Sequence, residues 1–255
     1  MPAHPVNGVP VHYDVTGGGP RTCLFVHGSG GSSMSWIRQL EGLADVARVV
    51  AIDLPGHGQS GGAGRSRIEE YVAVVKSFVE AAKHGNVVLG GHSMGGAVAQ
   101  AFALSYPQAL DGVILVGTGA RLRVLPKIFE LLQSNFPEGV RFINGLAFSP
   151  ATPHALKEAA RARALDTRPE VTIGDYTACN SFDVLERIGA IRVPTLVIGG
   201  HDDRLTPPRY ADFLARTIPG ATLVMVEQAG HHVHLEQPEA VNGAIGEFLK
   251  TLDLD

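Results

Sequence analysis

The sequence predicts an α/β fold: a doubly wound, mostly parallel central sheet of about eight strands, with helices on both faces and a helical cap insertion. Short apolar runs alternate with helical stretches along the chain, which is typical of parallel strands joined by crossover helices. Most of these runs are continuous rather than alternating with polar residues, as expected for strands buried on both faces. The length of 255 residues fits one large domain or a domain with an insertion better than two equal domains.

Each predicted element follows from a local pattern. The apolar runs predict strands at residues 9–15, 22–27, 49–53, 87–89, 113–116, 195–198 and 223–226. Periodic stretches predict helices at residues 33–44, 68–83, 95–105, 208–217 and 238–252. Pro208 and Pro238 stand at the first helical positions, where proline's fixed φ and missing N–H are well tolerated.

One stretch interrupts the alternation. Between about residues 121 and 192 there is no clear strand, and apolar residues recur at helical spacing at Leu125, Ile128, Phe129, Leu132 and Phe136. The sequence therefore predicts a core domain of residues 1–120 and 193–255, with residues 121–192 inserted as a helical cap. The underside of such a cap can line a pocket, or its apolar residues can simply hold it on the core.

Composition and charge exclude several classes of protein. The net charge of −4 and the lack of a basic run argue against a nucleic-acid partner. No apolar run approaches the roughly 20 residues of a membrane span, and the N-terminus lacks the pattern of a signal peptide. We therefore expect a cytoplasmic protein in which Cys23 and Cys179 are free thiols.

The segment GGHSMGG contains the strongest chemical signal. Residues 91–95 match the pattern G-x-S-x-G around Ser93, directly after an apolar strand and before a helix. In this context the serine occupies a sharp strand-to-helix turn that exposes its hydroxyl, and the small glycines avoid clashes there. Ser93 is therefore a candidate nucleophile. His92 stands beside it, but adjacent residues of such a turn diverge, so a structural role is expected for His92.

A serine nucleophile needs a base, and the expected chain order is serine, acid, histidine. Both partners follow later strands: Asp202 and Asp203 come after the strand at 195–198, and three histidines come after the strand at 223–226. All these positions fall at the carboxyl edge of the sheet, where ligands bind in open α/β folds. The pattern alone leaves the acid open between the two aspartates, and the base open among His231, His232 and His234.

The chain resembles the α/β-hydrolase superfold family, specifically its serine-nucleophile, carboxylesterase-like branch with a helical cap. The resemblance covers nearly the whole length, and its motifs are HGSG at 27–30, DLPGHGQS at 53–60, the turn at Ser93, GHDDRLTP at 200–207 and GHHVHLEQP at 230–238. It implies Asp203 as the acid and His231 as the base. It also implies an oxyanion hole made by the backbone N–H groups of Ser29 and Met94.

Other interpretations explain fewer residues. The turn Gly28-x-Gly30 followed by Asp53 imitates a dinucleotide-binding fingerprint, but Ser33 stands where the third glycine would be and the spacing to Asp53 is long. A metal hydrolase built on the histidine and aspartate groups would lack any familiar ligand spacing. A serine at position 93 disfavours the family branches with an aspartate nucleophile, and His92 weakens the resemblance to carbon–carbon bond hydrolases.

The expected function is therefore a carboxylesterase-type serine hydrolase that acts through an acyl-enzyme and needs no metal or organic cofactor. Alternatives within the fold are a lactone or enol-lactone hydrolase, a carbon–carbon bond hydrolase and a perhydrolase; a receptor-like ligand-binding protein with weak turnover is an alternative of another class. The expected partner is a small-molecule ester or lactone, and the expected state is a monomer or homodimer. The predicted substrate pocket consists of Phe129, Leu132, Phe136, Phe182, Leu205 and His232, with Phe142 and Phe148 as further candidates.

Overall fold

A computed structural model describes residues 3–6, 8–82 and 85–252 of the chain. These residues form an eight-stranded sheet with the order β1-β2-β4-β3-β5-β6-β7-β8. The strands are β1 (Ala3–Val6), β2 (Val9–Thr16), β3 (Thr22–Val26), β4 (Arg48–Ile52), β5 (Val87–His92), β6 (Leu110–Val116), β7 (Thr195–Gly200) and β8 (Thr222–Val226). From β4 to β8 all pairings are parallel, whereas β1 and β2 are antiparallel to their neighbours. The predicted fold class is confirmed.

The central strands are buried on both faces, as their continuous apolar runs predict. Every residue of β3, β5 and β7 is buried. Strand β5 runs three residues beyond its predicted end, because Gly90, Gly91 and His92 pair with β6 although they extend no apolar run. Strand β1 was not predicted, since its short sequence AHPV has a proline and only one buried residue, Val6.

Helices cover both faces of the sheet. They are α1 (Ile37–Gly42), α2 (Ile68–Ala82), α3 (Met94–Ser105), α4 (Pro126–Ser134), α5 (Phe136–Ala147), α6 (His154–Asp166), α7 (Pro169–Ser181), α8 (Pro208–Thr217), α9 (Val233–Glu236) and α10 (Pro238–Thr251). The predicted helix at 33–44 is divided into a 3₁₀ turn, Ser33–Trp36, followed by the shorter α1. Lys83, the predicted last residue of α2, lies outside the described residues.

The two faces of the sheet form separate apolar cores. On one face Leu24, Leu89 and Phe102 belong to the larger cluster, and on the other Phe25, Trp36 and Ile198 belong to the second. The rings of Phe25 and Trp36 stack with centroids 4.4 Å apart. This packing holds the carboxyl ends of β3, β5, β7 and β8 in one rigid row.

Helices α4 to α7 all lie between the neighbouring strands β6 and β7. The two ends of this segment meet in a narrow neck: Arg121 and Asp183 form an isolated antiparallel bridge, and the Val184 N–H donates to the Ala120 carbonyl at 2.8 Å. The Arg121 guanidinium also pairs with the Asp183 carboxylate at 2.6 Å. A small apolar cluster centred on Ile128, Leu132 and Val140 packs these helices against one another.

Among the described residues, no helix combines the length and apolar character that crossing a bilayer requires. Both cysteines, Cys23 and Cys179, are buried free thiols. Burial raises the pKa of each thiol to about 12, so both stay protonated near neutral pH.

Candidate active site

The predicted site residues follow the carboxyl ends of neighbouring strands. Ser29 follows β3, Ser93 follows β5, Asp203 follows β7 and His231 follows β8. Since β3 pairs with β5 and β7 pairs with β8 in parallel, with β6 between β5 and β7, these four positions share one edge of the sheet. Ser29, Ser93 and His231 line the same cavity.

Ser93 has an unusual backbone conformation. Its φ is +53° and its ψ is −114°, a combination that a residue with a Cβ rarely adopts. Three hydrogen bonds hold it: the Ser93 N–H donates to the Val116 carbonyl at 3.0 Å, and the Ser93 carbonyl accepts from the Thr118 hydroxyl at 2.9 Å and from the Ala97 N–H at 3.1 Å. Such strain persists only where the surroundings impose it, and it is concentrated at functional positions.

The glycines around Ser93 serve close packing. None of Gly90, Gly91, Gly95 and Gly96 has a positive φ, so the strained conformation belongs to the serine itself. A Cβ on Gly91 would lie 2.0 Å from the Gly95 carbonyl oxygen, and one on Gly95 would lie 2.2 Å from the Val26 carbonyl oxygen. The absent side chains therefore let β5, the turn and α3 approach β3 closely.

Asp203 and His231 form a buried hydrogen-bonded pair. The Asp203 Oδ2 lies 2.9 Å from the His231 Nδ1, and the side chains of both residues are almost fully buried. Burial alone would raise the pKa of Asp203, but the charge and hydrogen bond of His231, together with bonds from Thr206, lower it. Asp203 is therefore an anion near neutral pH, which fixes a proton on the Nδ1 of His231.

Thr206 completes this pair, and the sequence marked it only as a position in the motif. Its hydroxyl donates to the Asp203 Oδ2 at 2.7 Å, and its N–H donates to the Oδ1 at 2.8 Å. The Leu205 N–H adds another bond to the Oδ1 at 2.8 Å. Four donors therefore hold one carboxylate, and its direction toward His231 is fixed.

Asp202 points to a different partner. Its Oδ2 accepts a hydrogen bond from the Ser149 hydroxyl at 2.5 Å, in the loop that follows α5. The Asp202 N–H donates to the Ala229 carbonyl at 2.8 Å. The two adjacent aspartates thus separate in function: Asp202 joins two loops, and Asp203 contacts the imidazole.

The other histidines gather beside His231. The His92 Nε2 lies 2.9 Å from the carbonyl oxygen of His231 and must donate to it, so His92 carries its proton there. Burial and the neighbouring imidazoles lower the pKa of His92 well below its ordinary value, and lower that of His232 to about 3. His92, His232 and His234 are therefore neutral. Within the described residues they are a group of three in which one ring nitrogen from each histidine lies within 4.8 Å of the others, a spacing compatible with a metal ion.

The turn that carries Ser29 is held by a buried carboxylate that sequence reasoning missed. The Gly30 N–H donates to the Oδ2 of Asp175, on α7, at 2.8 Å. The same carboxylate contacts the His57 Nε2 at 2.8 Å and accepts from the Tyr71 hydroxyl at 2.5 Å. Gly28 lies directly against the turn at Ser93, since a Cβ on it would be 3.3 Å from the Ser93 Cβ.

His57 is the buried partner of Asp175 and carries a charge below its raised pKa. Its Nδ1 lies 3.2 Å from the Pro55 carbonyl oxygen, so both ring nitrogens face acceptors, as a doubly protonated imidazolium requires. Burial opposes this charge, but the Asp175 carboxylate outweighs it and raises the pKa of His57. The motif at 53–60 contained His57, but nothing near Asp175 in the sequence signalled a contact across 118 residues.

Asp53 does not resemble the acid of a dinucleotide site. It is buried, its Oδ1 accepts from the Ser33 N–H at 2.6 Å, and its Oδ2 accepts from the Gln59 N–H at 2.8 Å. The His12 Nδ1 lies 2.9 Å from the same Oδ2. The carboxylate is therefore used to hold the loops that follow β3 and β4.

A cavity of about 610 Å³ lies between this edge and the inserted helices. Two of the predicted lining residues, Leu205 and His232, do line it. Much of the remaining wall is apolar and comes from residues that the sequence prediction did not name as lining: Leu122, Val124, Ile128, Val140, Ile143 and Tyr176. The cavity therefore suits a small molecule with an apolar part.

The other predicted lining residues lie away from this cavity. Leu132 and Phe136 pack in the small cluster that joins the inserted helices, and Phe182 packs in the larger core. Phe129 is half-buried outside the wall, Phe142 packs on the same small cluster, and Phe148 packs against the His232 ring at 4.8 Å. Helical spacing identified an apolar face, but it did not distinguish the cavity side from the packing between helices.

Met94 occupies the first position of α3, directly after Ser93. Its side chain is fully buried in the larger core and does not line the cavity. Only its backbone N–H is therefore available for chemistry at this edge. The helix N-terminus also provides a region of positive potential next to the serine.

Comparisons with known proteins identify the fold and the family of the chain. The family model described as "Alpha/beta hydrolase family" matches residues 23–244. A solved thermophilic esterase is 38% identical with a TM-score of 0.88, covering 98% of this chain and 97% of its own. The enol-lactonase from Burkholderia xenovorans LB400 is 25% identical with a TM-score of 0.89, covering 98% and 100%.

A curated relative, the 2-hydroxy-6-oxononadienedioate/2-hydroxy-6-oxononatrienedioate hydrolase of Burkholderia vietnamiensis, is 29% identical over 94% of this chain and 91% of its own length. The names of these proteins describe different hydrolytic activities. The match of the family model extends over most of the chain, and the edge of the sheet has the geometry described above. The chain belongs to the alpha/beta hydrolase family.

Proposed function

We propose that this hydrolase cleaves carboxylic esters through a covalent acyl-enzyme, with Ser93 as nucleophile, His231 as base and Asp203 as the residue that orients the base. The observation that carries the proposal is the buried Asp203–His231 pair at 2.9 Å, beside a cavity that Ser93 also lines in a strained conformation. The 38% identity to an esterase over nearly the whole chain favours esters over the other reactions of the fold.

The proposed reaction has two stages. The Ser93 hydroxyl attacks the ester carbonyl while the Nε2 of His231 takes its proton, and the alcohol leaves after receiving that proton. Water then attacks the acyl-enzyme with the same base, releasing the acid and restoring the serine. Asp203 stays ionised throughout and stabilises the imidazolium that forms transiently.

We propose that the N–H groups of Met94 and Ser29 bind the oxyanion of the tetrahedral intermediates. Each donor of this kind typically contributes about 3 kcal/mol in the transition state. The hydrogen bond from Gly30 to Asp175 supports this role, because it holds the turn that carries Ser29. All proposed steps use side chains and amides of this chain together with water.

The segment 121–192 is proposed as a cap over the site, on a core of residues 1–120 and 193–255. The support is that residues of α4 to α7, including Ile128, Val140 and Tyr176, line the cavity that Ser93 also lines. Since a cap excludes water and shapes the acyl pocket, its apolar wall would favour esters with hydrophobic groups. The cytoplasmic location and the monomeric or homodimeric state stay predictions.

The test measures multiple-turnover hydrolysis of p-nitrophenyl esters of increasing acyl length. The same panel contains a lactone and a substrate in which a carbon–carbon bond is hydrolysed. Ester hydrolysis that disappears in Ser93→Ala and persists in Ser134→Ala, an exposed serine of α4, would support the proposal. A fluorophosphonate should label the wild type once and Ser93→Ala not at all. A single burst without turnover would instead support the receptor-like alternative. Preference for the lactone or for the carbon–carbon substrate would assign the protein to that class of hydrolase instead of the esterases.

A further inference from the structure

The cavity has an excess of positive charge that ester hydrolysis does not require. Four arginines line it, namely Arg123, Arg163, Arg204 and Arg209, whereas Asp166 is its one acidic lining residue among those described. The chain as a whole carries a net charge of −4. The concentration of guanidinium groups along the wall of this cavity is therefore a local feature and not a consequence of composition.

Two of these arginines already have protein partners. Arg123 donates to the Asn180 carbonyl at 2.7 Å and lies 3.8 Å from the Asp183 carboxylate. Arg204 donates to the Gly145 carbonyl, in the last turn of α5. Their positions are thus explained by the contacts that hold the inserted helices and the loop after β7.

The other two have no carboxylate within ion-pair distance in the described part of the chain. Arg163 stands in the last turn of α6, and Arg209 stands in the first turn of α8 with its guanidinium over the Tyr210 ring at 5.2 Å. Stacking of this kind orients the planar guanidinium while leaving its N–H donors available. A guanidinium presents donors in a fork that matches a carboxylate.

We propose that Arg163 and Arg209 bind a carboxylate at one end of the substrate, so that the preferred substrate is an ester or lactone that also carries a free carboxylate. The inference rests on the proposed function, which it makes more specific. The reacting carbonyl would lie at Ser93, an apolar spacer would contact the wall around Ile128 and Val140, and the carboxylate would reach the arginines.

This arrangement accounts for two properties of the cavity that would otherwise conflict. An apolar wall favours a hydrocarbon chain, but an isolated hydrocarbon ester gains nothing from unpaired guanidinium groups. A half-ester of a dicarboxylic acid uses both. The arginines would also draw an anionic substrate toward the cavity, an effect that added salt weakens.

The experiment compares two p-nitrophenyl esters of equal shape. One is the half-ester of adipic acid, and the other is the 6-methylheptanoate, in which an isopropyl group replaces the carboxylate. The wild type should have the higher kcat/KM for the anionic ester. The double variant Arg163→Gln/Arg209→Gln should lose about fivefold or more of that kcat/KM, mainly through KM, while the neutral ester is unaffected. The control is Arg216→Gln, which alters an exposed arginine of α8 outside the cavity wall.

Binding to Ser93→Ala separates this inference from the proposed function. Calorimetry would compare monomethyl adipate with dimethyl adipate, with and without the two arginine substitutions. Tighter binding of the half-ester that disappears in the double variant would support the anion site even if neither p-nitrophenyl ester is turned over. The inference is overturned if the wild type shows no preference for the anionic ester and Ser93→Ala shows none for the half-ester, or if the preference survives in the double variant.

Discussion

Replacing Asp175 with asparagine should lower the free energy of unfolding by about 3–5 kcal/mol near pH 6, which is the usual cost of breaking a buried ion pair from one side. The substitution keeps the shape of the side chain but removes the charge that faces His57 at 2.8 Å. Both side chains are fully buried, so solvent cannot replace the lost partner. For a chain of this size the melting temperature should fall by about 6–20 °C.

The loss should depend on pH, and its sign follows from the shift of His57. In the wild type the pKa of His57 is raised above its unfolded value of about 6.5, mainly because the Asp175 carboxylate outweighs burial. The pair therefore contributes its full stability below that value, and this contribution disappears as the pH rises through the folded pKa. In Asp175→Asn burial, the largest influence, lowers the pKa against the smaller effects of the Pro55 carbonyl and the Asp53 charge, so the variant loses further stability on acidification.

Urea unfolding of both proteins between about pH 5.5 and 9 measures this difference. At the alkaline end only ordinary hydrogen bonds are affected, and the loss should shrink to about 1–2 kcal/mol. Tyr71→Phe is the matched control, because it removes one hydrogen bond to the same carboxylate and leaves the ion pair intact. A loss below about 1 kcal/mol near pH 6, or one that is constant over the whole range, would refute the assignment of His57 as a charged residue.

Three further predictions concern the turn at Ser93 and the acid Asp203. Asp203→Asn should lower kcat by orders of magnitude while Asp202→Asn changes it less than about tenfold; steady-state kinetics decide, and the reverse order would contradict the assignment. Gly95→Ala should destabilise or unfold the protein, since its Cβ would lie 2.2 Å from a carbonyl oxygen, whereas Gly243→Ala, in open space on α10, should stabilise it by about 0.5–1 kcal/mol in thermal melts. Ser93→Gly should be more stable than Ser93→Ala by about 1–2 kcal/mol, because glycine alone relieves the strain at φ +53°; equal stability would show that the turn is unstrained.

The sheet and its order of reactive positions were predictable because they depend on local signals. Continuous apolar runs mark buried parallel strands, and the placement of Ser93, Asp203 and His231 follows from where those runs end. The pattern alone did not choose between Asp202 and Asp203. In the structure the two adjacent side chains point in different directions: Asp202 contacts Ser149, and Asp203 contacts the imidazole of His231.

The sequence pattern could not predict contacts between distant segments. Asp175 stands on a helix with little amphipathic character, and its partners Gly30, His57 and Tyr71 are between 104 and 145 residues away. Phe182 was predicted to line the pocket but packs in the larger core. The reason is related, because an apolar residue in the sequence indicates burial without showing which neighbour covers it. The arginines of the cavity were also unmarked, since they are scattered over four separate segments of the chain and form no local pattern.

The neck at Arg121 and Asp183 has a consequence for divergence. The segment that contains the inserted helices leaves the core and returns to it at adjoining points. Its length and composition can therefore change without altering the pairing of β6 with β7. Substitutions that accumulate there would reshape the wall around a bound molecule while the serine, the imidazole and the carboxylate keep their spacing. A protein with this fold can thus acquire new substrates through changes in the segment between β6 and β7, while the reactive residues at the edge of the sheet stay the same.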